Sequence, residues 1–229
     1  WYKETIEAFY DTYGCKISYL TVGQNERNIE PDFIKYVANA LENETDERYD
    51  YGSIRVVAGE GVGTCGISKS MLEDDELMEV VDVVTSHYTS FTSDATKTVQ
   101  KENGKKVWFS EGSSPMRAEQ LVRNREENAS GLSGLNGMLD IASRITQAMT
   151  EGMTMYEFQP LISSYYSGAT YFPKQLITAN EPWSGAYSLD AGYYMTLHFS
   201  RFIMPGWQFI ENACYGDGKA GGDGHFIHH

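Results

Sequence analysis

The sequence predicts an α/β protein built on parallel strands, and three observations predict it. Short apolar runs begin near residues 17, 54, 81, 106 and 153, with helical patterns between them. That alternation is the mark of repeated βα units, whose strands pair in parallel. The runs are continuously apolar rather than alternating, as strands buried on both faces are. Polar or acidic residues come directly after the runs, where a parallel α/β fold gathers its functional groups.

Each element has its own signal. Residues 2–12 read as a helix closed by Gly14, and Ile17 to Val22 as the first strand. Pro31 opens a helix with Phe33, Ile34, Val37, Ala38 and Leu41 on one face. Ile54 to Ala58 forms the second strand. Residues 68–79 read as one helix with Ser68 as a candidate cap, and Val80 to Ser86 as the third strand. A helix over 92–102, a strand from Lys106 to Ser110, a helix within 132–150 and a strand from Met153 to Phe158 complete the pattern. A doubly wound sheet and a (β/α)8 barrel both satisfy it, although a barrel needs eight such units. Residues 159–229 read as loop-rich and aromatic. Gly216 to Gly224 carries five glycines in nine positions, so 213–229 is expected to be a linker toward a further domain.

Composition narrows the function classes. Against 32 acidic residues stand 18 basic ones, for a net charge of −14, which argues against a nucleic-acid partner that would need clustered Lys and Arg. No apolar run is long enough to span a membrane, and no signal-peptide pattern is present. Cys15, Cys65 and Cys214 have neither C-x-x-C nor zinc spacing, and their pairing is open. Two triplets, from Asn43 and from Asn128, are glycosylation sequons.

The chemistry lies just past the strand ends. Asn25-Glu26 comes after the first strand, His87-Tyr88 after the third, and Glu111 after the fourth. Two glutamates at the mouth of one parallel sheet suit a retaining glycosidase. One carboxyl protonates the leaving oxygen and later activates water; the other attacks the anomeric carbon. Glu26 is assigned the acid/base role and Glu111 the nucleophile. Asn25 is placed to hydrogen-bond the sugar 2-hydroxyl, and Tyr88 to hold the nucleophile in line. His87 either touches substrate or orients its neighbours. No organic cofactor and no metal is expected.

These residues resemble glycoside hydrolase family 59, the galactosylceramidases, within the clan of retaining (β/α)8 glycosidases. The likeness rests on Asn25-Glu26-Arg27, on Val80 to Val84 running into His87-Tyr88, and on Val107 to Glu111. It rests most specifically on Thr178 to Tyr187, with Glu181-Pro182-Trp183-Ser184-Gly185, followed by Phe202 and Pro205-Gly206-Trp207. The resemblance implies a TIM barrel, incomplete in this chain, with strands four to eight inside 1–212. It implies release of a terminal β-linked galactose from a galactoside or glycolipid, and a secreted or lysosome-like location. It adds Tyr171 and Gln159 to the sugar contacts. Gln159 is a departure, since animal members carry a Trp there whose face stacks on the sugar. Other retaining clan members, glucosylceramidase-like hydrolases among them, share the carboxylate pattern.

Other motifs carry competing readings. Gly61-Val62-Gly63-Thr64-Cys65-Gly66 fits the dinucleotide fingerprint and would support a nicotinamide oxidoreductase; a glycine-rich βα loop explains the same residues. Glu181 is expected to tie down its own loop, and Trp183 and Trp207 to pack. His225, His228 and His229 are read as a solvated tail.

Overall fold

The computed structural model describes residues 1–23, 25–62, 66–90, 92–112, 134–164, 175–210, 215–216 and 227–228. The chain divides into two compact units, Trp1–Trp108 and Phe109–His229.

The first unit follows the predicted alternation. Its elements are α1 (Tyr2–Tyr13), β1 (Tyr19–Thr21), α2 (Pro31–Glu42), a 3-10 turn (Tyr51–Ser53) and β2 (Arg55–Ala58). Then come α3 (Ile67–Glu73), α4 (Asp75–Val80), β3 (Val83–His87), α5 (Asp94–Lys101) and β4 (Lys106–Glu111), which begins in this unit and ends in the next. Strands β1 and β2 pair in parallel with Leu20 opposite Val56, and β2 and β3 with Val57 opposite Val83. Strand β3 is buried at every residue, and Val56, Val57 and Ala58 of β2 are buried, as two-sided burial requires. Trp108 closes a cluster with Val57 and Val83.

Local chemistry sets the helix ends. Gly14 stops α1 in the left-handed conformation (φ 67°) and returns its N–H to the Tyr10 carbonyl at 2.7 Å. Pro31 starts α2, which buries Ile34, Val37 and Leu41. The single helix expected over 68–79 is two. Asp74 leaves helical geometry (φ −140°, ψ 104°), and its Oδ1 accepts the Leu77 N–H at 3.0 Å, capping α4. Its other oxygen pairs with Lys35 at 2.8 Å. Ser68 is no cap; Gly66 holds that position, and Ser68 is buried against the Thr96 hydroxyl at 2.9 Å. Because α4 runs to Val80, β3 starts three residues later than expected.

The second unit opens with the end of β4. Glu157 N donates to Phe109 O at 2.8 Å, setting β5 (Met155–Tyr156) beside it. Helix α6 (Gly134–Thr150) matches the expected 132–150, and Ile141 and Ile145 join Leu176 in a core that takes in Phe158 and Phe199. The described residues of 159–210 hold more regular structure than a loop-rich reading expects. They hold α7 (Ala191–Phe202) and a small sheet of β6 (Ile162–Ser163), β7 (Ile177–Thr178) and β8 (Ser188–Leu189). Within 213–229, β9 (Tyr215–Gly216) and β10 (Ile227–His228) pair antiparallel. Trp183 and Trp207, expected to pack, are instead 83% and 69% exposed. The 3-10 turn Pro182–Ser184 explains Trp183: the Glu181 carbonyl, rather than its carboxylate, takes the Ser184 N–H and hydroxyl, turning the indole outward. No helix among the described residues is long and apolar enough to cross a membrane.

Gly112 has a steric reason to be glycine. A Cβ there would run into the ring edge of Phe109, which is fully buried and stacked on Tyr156 with centroids 4.2 Å apart. Replacing Gly112 with Ala is therefore expected to cost about 1–3 kcal/mol as an overpacked core does. Thermal unfolding of the variant checks this, and an unchanged midpoint would show that the ring yields freely.

Candidate active site

The ends of β1, β2 and β3 supply the site in the first unit. Just beyond each strand the backbone turns to positive φ: Gly23 at 124°, Gly59 at 106° and Tyr88 at 61°. Glu26 also lies in the left-handed region, at φ 54°. Tyr88 and Glu26 are L-residues in a conformation that costs energy, and such residues persist where surroundings over-determine them. Here the surroundings are visible. Glu26 N donates to Glu60 O at 2.8 Å, and His87 N donates to Gly61 O at 2.9 Å. The turn after β3 is closed by Thr89 N to His87 O at 2.8 Å.

Side chains converge on His87, which is only 1% exposed. Its Nδ1 lies 3.2 Å from Glu26 Oε1, and its Nε2 lies 2.6 Å from Glu60 Oε2. Thr21 Oγ1 donates to the other oxygen of Glu60 at 3.2 Å. The Tyr88 hydroxyl and then His87 hydrogen-bond the Glu26 carboxylate, and these two bonds hold its pKa below the usual carboxylate range. Partial burial opposes them without winning, because the Glu26 side chain keeps 41% of its surface. Asn25 is exposed beside it. A cavity of about 550 Å³ opens against Gly23, Arg27, Phe33, Gly59 and Glu60. Glu26 and His87 do not line it, so its size says little about the chemistry.

In the second unit Glu111 ends β4, half-buried. Gln159 is exposed, and its N–H donates to Gly112 O at 2.7 Å, which sets it one residue beyond Glu111 on the neighbouring segment. Tyr171 lies outside the described residues, as do Gly63 to Cys65, Cys214, His225 and His229. Cys15 is an exposed free thiol.

Glu60 is the residue that sequence reading missed. Its signal was available: an acid two residues past a buried strand, much as Glu111 stands at the end of β4. The surrounding glycines drew attention to phosphate binding instead. The structure removes the support for that reading. Asp82, the acid nearest the expected ribose position, accepts the Val56 N–H at 2.8 Å and is part of the strand pairing.

The fold is shared with solved structures. SrfJ from Salmonella typhimurium superposes with a TM-score of 0.60 at 16% identity, over 90% of this chain and 46% of that one. The endo-β1,6-glucanase BT3312 gives 0.59 at 14% identity, over 94% and 51%. Strands with carboxylates at their C-terminal ends, alternating with helices, thus define a parallel α/β chain of partial TIM-barrel type.

The profile of glycosyl hydrolase family 59 matches residues 1–201, and the chain belongs to that family. Galactocerebrosidase of Homo sapiens is 31% identical over 191 residues, covering 82% of this chain and 24% of that protein. The Mus musculus protein is 30% identical over the same length, and the Salmo salar protein 28% over 207 residues. The chain spans about a quarter of the length of these curated relatives.

Replacing Tyr88 with Phe deletes the hydrogen bond that depresses Glu26 most. The Glu26 pKa is expected to rise toward that of an ordinary glutamate. The carboxyl-carbon chemical shift of labelled glutamate, followed through acid pH, measures it; an unmoved titration would remove Tyr88 from the account.

Proposed function

We propose that this chain carries the catalytic carboxylates of a retaining β-galactosidase that releases a terminal β-linked galactose from a galactoside or glycolipid. The observation that carries the reading is the placement of two glutamates, Glu26 beyond β1 and Glu111 at the end of β4, in a family 59 chain similar to galactocerebrosidases.

In the proposed cycle Glu26, protonated, gives its proton to the glycosidic oxygen as the bond breaks. The Glu111 carboxylate attacks the anomeric carbon and forms a glycosyl ester. Glu26, now a carboxylate, takes a proton from water, whose oxygen displaces Glu111 and releases galactose. Such a double displacement requires the two carboxyls about 5–5.5 Å apart. Asn25, beside Glu26, is assigned the sugar 2-hydroxyl. His87 and Tyr88 act on Glu26 through their hydrogen bonds, so Tyr88, expected at the nucleophile Glu111, is assigned here to the acid/base. Gln159 and Tyr171 are assigned to the sugar's other faces. No cofactor or metal enters these steps. A secreted or lysosome-like place of action goes with this reading, as does 213–229 as a connection to a further domain.

A second reading draws on Gln159. An amide at that position offers hydrogen bonds where a Trp would offer a stacking face, which suits a different sugar epimer or aglycone. A glucosylceramidase-like hydrolase then uses the same two acids. A panel of chromogenic β-glycosides separates the two sugars.

Glu111→Gln is expected to abolish turnover. In the wild type a 2-fluorogalactoside with a good leaving group should label Glu111, detected as a mass increase on its peptide. Label on another residue, or substantial activity in Glu111→Gln, would sink the assignment.

A further inference from the structure

We infer that Glu60 is a positioning residue for the acid/base, acting on Glu26 through the buried ring of His87. The inference rests on the reading of Glu26 given above and names a residue that reading does not use.

The ring of His87 is buried, and both of its nitrogens face carboxylate oxygens, Glu26 at 3.2 Å and Glu60 at 2.6 Å. The two nitrogens sit on one rigid, planar ring, so fixing one end aims the other. The Glu60 contact is the shorter, and Glu60 is the less exposed of the two acids, at 17% against 41%. It is therefore the anchor, and Glu26 is the group being aimed. The same logic holds at metal centres, where a carboxylate behind a histidine sets its tautomer and orientation.

Glu60 is itself held. Thr21 Oγ1 occupies its second oxygen at 3.2 Å, so the carboxylate is pinned between the end of β1 and the end of β3. Its backbone carbonyl receives the Glu26 N–H at 2.8 Å. Glu60 thus constrains Glu26 twice, by main chain and by side chain. That doubling answers the left-handed φ of Glu26, which needs outside restraint to persist. It also separates the two effects, because a side-chain substitution leaves the main-chain bond in place.

As a positioning residue Glu60 acts through His87 and Glu26 rather than on the bond that breaks. Its effect should appear only in steps that use the Glu26 proton. The test is kcat/KM of the full chain on two aryl β-galactosides, one with a good and one with a poor leaving group. Glu60→Gln is expected to lose about tenfold on the poor substrate, a part of what general acid catalysis contributes, and less than about threefold on the good one. In the double variant Glu26→Gln with Glu60→Gln, the second change is expected to add less than about twofold, since residues acting as a unit are not additive. Equal losses of Glu60→Gln on both substrates, or a full tenfold added on top of Glu26→Gln, would overturn the inference.

Glu26→Gln alone reports on the underlying reading. A loss that ignores the leaving group removes the acid role from Glu26 and the inference with it. A normal leaving-group dependence there, with none in Glu60→Gln, removes Glu60 only. If Glu60→Gln does not fold, as its melting shows, Glu60→Asp keeps the charge and withdraws it from His87. It should show the same split between substrates at smaller size, and equal losses on both would again overturn the inference.

Discussion

The short contact between Glu60 Oε2 and His87 Nε2, 2.6 Å, is the constraint on which the first unit's site depends. It joins the ends of β2 and β3 across side chains, while Thr21 ties in the end of β1. A buried imidazole between two acids is unfavourable unless every polar atom is matched, because charge taken from water must be offset by well-placed partners. Here the ring nitrogens and both Glu60 oxygens have partners. The parallel strands make this possible. Only strands running the same way deliver Thr21, Glu60 and His87 to one edge of the sheet, each within a residue or two of a strand end.

Positive φ is the backbone side of the same constraint. Gly23 and Gly59 take it without strain, but Glu26 and Tyr88 take it against their Cβ. Both are the residues whose side chains meet. Turning sharply out of the sheet lets Glu26 fold back over β2, where its N–H finds Glu60, and lets Tyr88 reach the Glu26 carboxylate. Strain in this site is thus confined to the residues that use it, and the hydrogen bonds that offset it are the ones that orient the acid.

Sequence alone located much of this and missed its organiser. The apolar runs of β2, β3 and β4 announce two-sided burial, and Pro31 and Gly14 announce helix ends. Asn25-Glu26, His87-Tyr88 and Glu111 were legible because each comes after such a run. The break at Asp74 was not legible. Its neighbours Glu73, Asp75 and Glu76 are as compatible with one helix as with two, and the cap depends on a dihedral that residue types do not reveal. Helix α7 was hidden by its own composition. Tyr193, Tyr194, Leu197, Phe199 and Phe202 surround it with bulk, so no polar face marks its period. Two-residue strands such as β6 to β8 are too short for any period. Glu60 was hidden because glycines near an acid resemble a phosphate loop until the acid's target is seen, and that target lies 27 residues away in sequence.

One tension in the site bears on how the proposed chemistry runs. A proton donor should hold its proton at working pH, yet the Tyr88 and His87 hydrogen bonds favour the Glu26 carboxylate. The resting group is therefore set for the second half of a double displacement, where a base is wanted. Its acid strength must come with substrate. A sugar over Glu26 removes water from a side chain that now keeps 41% of its surface, and desolvation raises a carboxyl pKa. In the proposed cycle an ionised nucleophile would raise it further, and that charge would vanish once the ester formed. The fixed donors, Tyr88 and His87, supply the constant downward pull, and occupancy supplies the upward one. On this account the two hydrogen bonds keep the resting Glu26 a carboxylate, and the aim that Glu60 gives the His87 ring holds that carboxyl in line for proton transfer in both steps.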